Sequence, residues 1–196
     1  MVEATSGRKA PAGSELLFQI HYTKTGSVEL DRTSVGLKFT KKPPEKIVRA
    51  RWVQNYYFTI PAGAADHEVT GCYTFDKDVH LYSYFPHMHL RGKDMTMTAI
   101  FPNGEKKTPL KVPRYDFNWQ HTYLLKEPIA IPSRTRILVT AHFDNSKRNV
   151  FNPDPTATVR WGDPTYDEMM IGGMVIVEMI VGEMIVEMMI VVMLIA

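Results

Sequence analysis

Short apolar runs that alternate with polar residues recur from residue 15 to residue 162, and turn-forming residues separate them. A period of two places every second side chain on one face of an extended chain. Thirteen prolines and twelve glycines punctuate these runs, and no amphipathic helix is evident before residue 163. The pattern therefore predicts an all-β chain, an antiparallel β-sandwich or jelly roll of about nine strands.

The predicted strands are short, and prolines or glycines end several of them. Residues 69–75 and 79–85 are expected to be neighbouring strands joined by a turn at 76–78. Pro128 and Pro132 indicate an extended link over residues 127–132. The alternation predicts the remaining strands at residues 15–23, 34–39, 47–52, 56–60, 95–101, 117–124 and 136–144, with a hairpin turn at 102–105 and its returning arm at 110–112.

Composition excludes several classes of function. A chain of 196 residues is long enough for one full domain and short for two. The formal net charge is +2 and the basic residues are scattered, so nucleic acid is not an expected partner. Cys72 is the only cysteine, which excludes an intrachain disulfide and leaves the compartment open. Residues 1–14 contain no apolar core of the kind a secretory signal has.

The two ends of the chain differ in composition from its middle. We expect residues 1–13 to be a flexible lead-in, residues 14–177 to be the sandwich domain, and residues 178–196 to be a low-complexity tail of Met, Ile, Val and Glu. The tail is long enough to span a bilayer, but Glu178, Glu183 and Glu187 would be costly to insert. We therefore predict one strand after Met169, then the tail, and no membrane partner.

The segment that bears most on function is Pro86-His87-Met88-His89-Leu90-Arg91-Gly92, at the end of an aromatic strand. If the strand continues through it, His87 and His89 point to the same face, with Cα atoms about 6.6 Å apart. Two imidazoles at that separation can share one metal ion. The alternative is that both are ordinary strand residues. Arg91 and Lys93, which follow, are expected to be solvated loop charges; the alternative is that they border a cleft and attract an anionic substrate.

A third ligand must come from elsewhere in the chain, and the best candidates are the thioethers of Met169 and Met170. Two imidazoles with a thioether favour copper, because imidazole suits both of its oxidation states and a soft sulfur favours Cu(I). The two methionines would face opposite sides of a strand, so one of them is expected to be a core residue. Asp94 and Tyr84 are candidates to orient the imidazoles. His121 and His142 are expected to have core or surface roles.

Three motifs, taken in order, resemble one family. They are Phe18-Gln19-Ile20-His21-Tyr22, then His87-Met88-His89, then Asp167-Glu168-Met169. Their order and spacing resemble the C-terminal domain of the copper type II, ascorbate-dependent monooxygenases, a family that includes peptidylglycine α-hydroxylating monooxygenase and dopamine β-hydroxylase. The similarity is greatest to bacterial-type members and covers roughly residues 13–171.

The resemblance implies a ligand set and a reaction. His87, His89 and Met169 would bind the copper at which O₂ reacts and the substrate C–H bond is hydroxylated. His21 would be the single contribution of this domain to a second, electron-donating copper, and ascorbate would be the reductant. The substrate would be a small molecule or a peptide. The family also implies a periplasmic or secreted location.

The resemblance also implies a missing part. Two further histidines of the second copper site would come from a preceding domain or a separate chain, and no adjacent His-His pair occurs in this sequence. The sequence therefore predicts one complete copper site and one partial site. Two functions stay open: a copper-dependent monooxygenase domain, or a non-catalytic copper-binding or interaction module that lacks the N-terminal catalytic half.

Overall fold

The computed structural model describes residues 6–8, 10–22, 25–39, 41–179 and 193–195, without the side chains of residues 21, 179 and 193–195. Every regular element in these ranges is a β-strand, so none is a helix that could cross a membrane. The strands are β1 (Ser6–Gly7), β2 (Gln19–His21), β3 (Lys46–Gln54), β4 (Thr59–Ile60), β5 (His67–Thr74), β6 (Val79–His87), β7 (Gly92–Ile100), β8 (Lys106–Val112), β9 (Tyr123–Ile131), β10 (Arg136–Phe143), β11 (Val159–Arg160), β12 (Ile171–Met179) and β13 (Met193–Ile195).

The chain divides into two compact units. The first comprises Met1–Ile47 with Met179–Ala196, and the second comprises Val48–Glu178. The predicted sandwich domain of residues 14–177 thus includes residues of both units. In the first unit, β1 pairs in parallel with Lys46 and Ile47 at the start of β3, and β2 pairs in parallel with β13.

The second unit is an antiparallel β-sandwich, which confirms the predicted fold class. One sheet has the order β3-β12-β6-β9 and the other has the order β5-β10-β7-β8. The pairs β6–β12, β6–β9, β5–β10, β7–β10 and β7–β8 are all antiparallel. The short strands β4 and β11 form a separate antiparallel pair.

The core lies between the two sheets of the second unit. A Cβ atom at Gly172 on β12 would meet Cγ2 of Val139 on β10 at 2.6 Å and Cε of Met97 on β7 at 3.2 Å. Val139 and Met97 are fully buried. The glycine therefore lets the two sheets approach closely at this point.

The predicted pairing of residues 69–75 with 79–85 is wrong. Strand β5 belongs to one sheet and β6 to the other, so the turn between them crosses the sandwich. Phe75, which directly follows β5, has a buried ring, and its backbone binds that of Arg134 and Thr135 just before β10. Each strand has one apolar face, and both faces are buried against each other when the strands lie in opposite sheets instead of side by side in one sheet.

The link predicted at residues 127–132 is also wrong, because these residues belong largely to β9. Strand β9 is an edge strand, and its pairing with β6 is interrupted between Leu81 and Ser83. Pro128, which lacks an N–H to donate, is tolerated at such an edge. The strand predicted at 117–124 begins only at Tyr123, and residues 113–122 form a loop.

Of two strands predicted near the N-terminus, one is shorter than expected and the other does not form in the described residues. Of residues 15–23, the structure forms a strand only at β2, with residue 23 outside the described ranges. None of the described residues 25–39 is in a strand. Leu37 and Phe39 of the predicted strand 34–39 are 52% and 78% exposed, so their alternation is not matched by burial. The predicted strand after Met169 is β12, and of the tail that follows, residues 180–192 and 196 lie outside the described residues.

Candidate metal centre

His87 and His89 lie side by side at the end of β6. His87 is the last residue of the strand, and both histidines are almost fully buried, at 5% and 4% exposure. Their ring centroids are 5.2 Å apart with the ring planes at 86°. Met88 between them is fully buried in the sandwich core, so the imidazoles share the opposite face. The alternation in the sequence predicts this placement.

Each imidazole is oriented through its Nδ1 atom. Nδ1 of His87 lies 2.5 Å from Oε1 of Gln120, and Nδ1 of His89 lies 3.2 Å from the backbone carbonyl of Asp167. The Nε2 group of Gln120 donates to the carbonyl of Phe117, which fixes Oε1 as the atom that faces His87. Both partners are acceptors only, so each Nδ1 donates its proton. In the neutral rings the lone pair then belongs to Nε2, the atom that binds metal when Nδ1 is engaged in this way.

Gln120 belongs to the loop of residues 113–122, which contacts the histidine segment through several side chains. The hydroxyl of Tyr115 donates to the carbonyl of Met88 at 2.6 Å and accepts from its N–H at 3.0 Å. The ring of Phe117 stands edge-on to His89, with centroids 6.1 Å apart. The sequence interpretation missed this loop, although Asp116, whose carboxylate caps the N–H two residues on, is a typical turn signal.

The two predicted orienting residues lie elsewhere. Oδ1 of Asp94 is 2.8 Å from Nδ1 of His142, on the other sheet. The hydroxyl of Tyr84 is buried on the core side and has no hydrogen-bond partner among the described residues. The prediction for both residues is therefore wrong, because the partners of the histidines come from a distant loop and from a backbone carbonyl.

The structure separates the two candidate thioethers. Met170 is fully buried, and its methyl group would be 2.9 Å from a Cβ atom at Gly71, beside Val53. It is therefore a core residue. Met169 is half-buried and lies two residues before Ile171, the first residue of β12, so the alternation of that strand, continued to Met169, puts it on the side of Ile171 and opposite to Met170.

The segment before β12 runs past the histidines. In the β6–β12 register, Ile171 is the partner of His87, and cross-strand partners share a face. Asp167 and Glu168, which directly precede Met169, both bind His89. Within the described residues, no three His, Cys, Asp or Glu side chains cluster in a way that could hold a metal ion. Met169 as a ligand therefore stays a prediction.

Glu168 and Arg91 form a buried polar pair next to the histidines. Glu168 is 0% exposed and Arg91 is 1% exposed, so the prediction that Arg91 is a solvated loop charge is wrong. Burial raises the pKa of Glu168 to about 8, against the opposing effect of hydrogen bonds from the backbone of Arg91 and His89. Burial lowers the pKa of Arg91, and the nearby charge of Glu168 opposes that shift. Lys93 is partly exposed and pairs with Asp66, as expected of a surface charge.

His121 and His142 are not brought to this site. His21 ends β2 in the first unit, and its side chain lies outside the described residues, so its predicted role as a ligand of a second copper stays a prediction. His142 lies between Asp94 and Glu68, and His121 lies against the ring of Trp119. Both have surface positions.

Comparison with known proteins leaves the family open. No family model matches the sequence, and no curated protein matches it. The Gt and Gx strains of infectious bursal disease virus have solved structures that are similar, with TM-scores of 0.31 and 0.29 and sequence identities of 10% and 11%. Each similarity covers 74% of this chain but only 36% and 35% of the viral chains, so the protein spans about a third of their length. Similarity at this level carries no information about function.

Proposed function

We propose that this chain is a copper-binding β-sandwich domain and that His87, His89 and Met169 hold the metal. The observation that carries the proposal is the pair of Nδ1 hydrogen bonds, to Gln120 and to the carbonyl of Asp167. Histidines that ligate a metal characteristically donate the other ring N–H to such acceptors. Two rings on one face, both held in the ligating tautomer, are unusual for histidines that merely fill space.

The donor set fits copper better than the common alternatives. Zinc sites in proteins use thiolate, imidazole or carboxylate, whereas a thioether is a soft ligand that favours Cu(I). Met169 is the thioether on the histidine face. Three ligands leave an open position at the metal, as a site that reacts with a small molecule requires.

The finer proposal is a copper-dependent monooxygenase domain, as the resemblance implies. Copper, when bound, would supply the one-electron chemistry with O₂ that hydroxylation of a C–H bond requires, with ascorbate or another one-electron donor as reductant. The protein's own residues hold the imidazoles: Gln120 orients His87 and the Asp167 carbonyl orients His89. Phe85 stacks on His87, and Phe117 meets His89 edge-on.

Copper titration tests the proposal. Purified protein is expected to bind about one equivalent of copper tightly at this site, and replacement of both His87 and His89 by Ala is expected to abolish that binding. His142→Ala is the matched control, because His142 lies on the other sheet and is engaged with Asp94 and Glu68. Full copper occupancy in the double variant would overturn the site.

A second candidate is a non-catalytic copper-binding module. The absence of an adjacent His-His pair from the sequence favours it, because the second copper site that the family resemblance implies would then need a partner. The two candidates differ in one measurement. Product formation coupled to ascorbate-driven consumption of O₂ by the chain alone would exclude the non-catalytic module. Copper binding without turnover, restored by a partner that carries a His-His pair, would favour a domain that works only in a complex.

A further inference from the structure

We infer that Glu168 is a positioning residue whose buried carboxylate holds the segment that carries Met169 against the turn that carries His89; the inference rests on the proposed copper site. Oε2 of Glu168 accepts the backbone N–H of His89 at 2.8 Å, and Oε1 accepts that of Arg91 at 2.6 Å. Oε2 also lies 3.3 Å from the backbone nitrogen of Met169. One side chain thus joins both halves of the ligand set.

Side chains of the 89–91 turn also donate hydrogen bonds to backbone carbonyls of residues 166 and 167. Nη1 of Arg91 donates to the carbonyl of Tyr166 at 2.8 Å, and Nδ1 of His89 donates to that of Asp167 at 3.2 Å. Nε of Arg91 donates to Oδ1 of Asn145, which fixes the guanidinium. The turn at residues 89–91 is therefore joined to residues 166–168 by four hydrogen bonds, and Met169 follows directly.

The carboxylate cannot be replaced here by an apolar group without loss. The N–H groups of His89 and Arg91 would remain buried without an acceptor. A glutamine has the same shape but only one acceptor oxygen, so it can serve one of the two N–H groups.

The effect on the metal ligands is selective. His87 is held by Gln120 and the ring of His89 by the Asp167 carbonyl, so each imidazole has a partner of its own. The thioether of Met169 has no such hydrogen bond, and its position depends on the backbone segment that the hydrogen bonds of Glu168 hold in place. Loss of the carboxylate is therefore expected to disturb the thioether first and the imidazoles second.

The test compares Cu(I) and Cu(II) affinities of the wild-type protein, Glu168→Gln and Met169→Leu. We expect both variants to lose about 10- to 100-fold in Cu(I) affinity, while Cu(II) affinity, which depends on the imidazoles, changes much less. X-ray absorption of the Cu(I) form should show the sulfur contribution of the wild type and its loss in both variants. Glu178→Gln is the matched control, because Glu178 is another buried glutamate, at the far end of β12.

The outcomes separate the two proposals. A wild-type protein that binds no copper overturns the proposed function. A wild-type protein that binds copper, together with a Glu168→Gln variant that keeps wild-type Cu(I) affinity and sulfur ligation, overturns only the role of Glu168. If the Gln variant does not fold, Glu168→Asp decides, because it keeps a carboxyl group but is one methylene too short to reach both N–H groups. In the metal-free wild type, NMR should show the Met169 methyl group in contact with the ring of His89, and absence of that contact contradicts the inference.

Discussion

Oε1 of Gln120 lies 2.5 Å from Nδ1 of His87, although the two residues are 33 positions apart. This contact crosses from the loop of residues 113–122 to the end of β6 and sets the tautomer of the histidine. The amide nitrogen of Gln120 is engaged by the carbonyl of Phe117 at 2.8 Å, so the side chain cannot reverse without losing that bond. The orientation of His87 is therefore built into the fold before any metal binds.

Replacement of Gln120 by Leu is expected to weaken copper binding. Without the acceptor, the ring of His87 is free to exchange tautomers and to rotate, and loss of such an orienting partner typically lowers metal affinity about 10- to 100-fold. Copper competition titrations measure the affinity, and ¹⁵N NMR of the metal-free protein reports which ring nitrogen of His87 carries the proton. Asn118→Ala, an exposed residue of the same loop, is the control and should match the wild type. A Leu variant with unchanged affinity and tautomer would contradict this role.

The two adjacent methionines should separate binding from stability. Met169→Leu is expected to lower Cu(I) affinity and leave the free energy of unfolding nearly unchanged, because Leu has similar volume and the site is only half-buried. Met170→Ala is expected to lower the free energy of unfolding by about 2–5 kcal/mol, because it leaves a cavity in the core. Urea denaturation and Cu(I) titration of both variants check this. The reverse assignment of effects would make Met170 the ligand.

Gly172→Ala should destabilise the sandwich although alanine is ordinarily the better residue. In a strand interior, Ala is more favourable than Gly by about 0.5–1 kcal/mol. Here the added methyl group would lie 2.6 Å from Cγ2 of Val139 across the core, and overpacking typically costs about 1–3 kcal/mol. Urea denaturation should therefore show a net loss of stability. The double variant with Val139→Ala should lose less than the sum of the two single variants, and strict additivity would show that the two side chains do not clash.

The fold class and the histidine pair could be predicted because both depend on local alternation. A period of two is enough to place His87 and His89 on one face, and runs of alternating residues define most strands of the sandwich. The partners of these histidines could not be predicted, because Gln120 and the Asp167 carbonyl reach them through tertiary contacts that no local pattern encodes.

Arg91 was also mispredicted because its partners are distant in the sequence. In the sequence Arg-Gly-Lys it resembles a solvated loop charge, yet its guanidinium is buried because Oδ1 of Asn145 and the carbonyl of Tyr166, 54 and 75 positions away, accept its hydrogen bonds. Pro128 led to the opposite error, because a strand was predicted to be a link. It predicts a link, but at the edge of a sheet a missing N–H costs no pairing, so the strand continues through it.

Glu178 should make stability depend on pH in the acid range. Its carboxylate is buried and lies 2.9 Å from Nε of Arg49, 2.9 Å from Nζ of Lys77 and 3.4 Å from Nη2 of Arg51. Burial alone would raise the pKa of Glu178, but the hydrogen bonds from Lys77 and Arg49 outweigh it and hold the pKa below its ordinary value. A carboxyl whose pKa is lower in the folded state stabilises the fold above its unfolded pKa, about 4.3, and loses that contribution as pH falls through the folded value.

Glu178→Gln removes the titrating group and keeps the shape. At neutral pH we expect the variant to be less stable by about 2 kcal/mol, because the charged hydrogen bonds to two arginines are lost. The ion pair with Lys77 contributes least, because Lys77 is more than half exposed. Urea denaturation at a series of pH values from 7 to 3 should show this difference as constant down to about pH 5 and shrinking below about pH 4. Glu105→Gln, which breaks only an exposed pair with Lys107, should show little difference at any pH. A difference between wild type and Glu178→Gln that persists unchanged to pH 3 would contradict this prediction. Either the pKa of Glu178 would then lie far below that range, or its contribution to stability would not be electrostatic. Denaturation at high salt would distinguish these two explanations, because screening weakens only an electrostatic contribution.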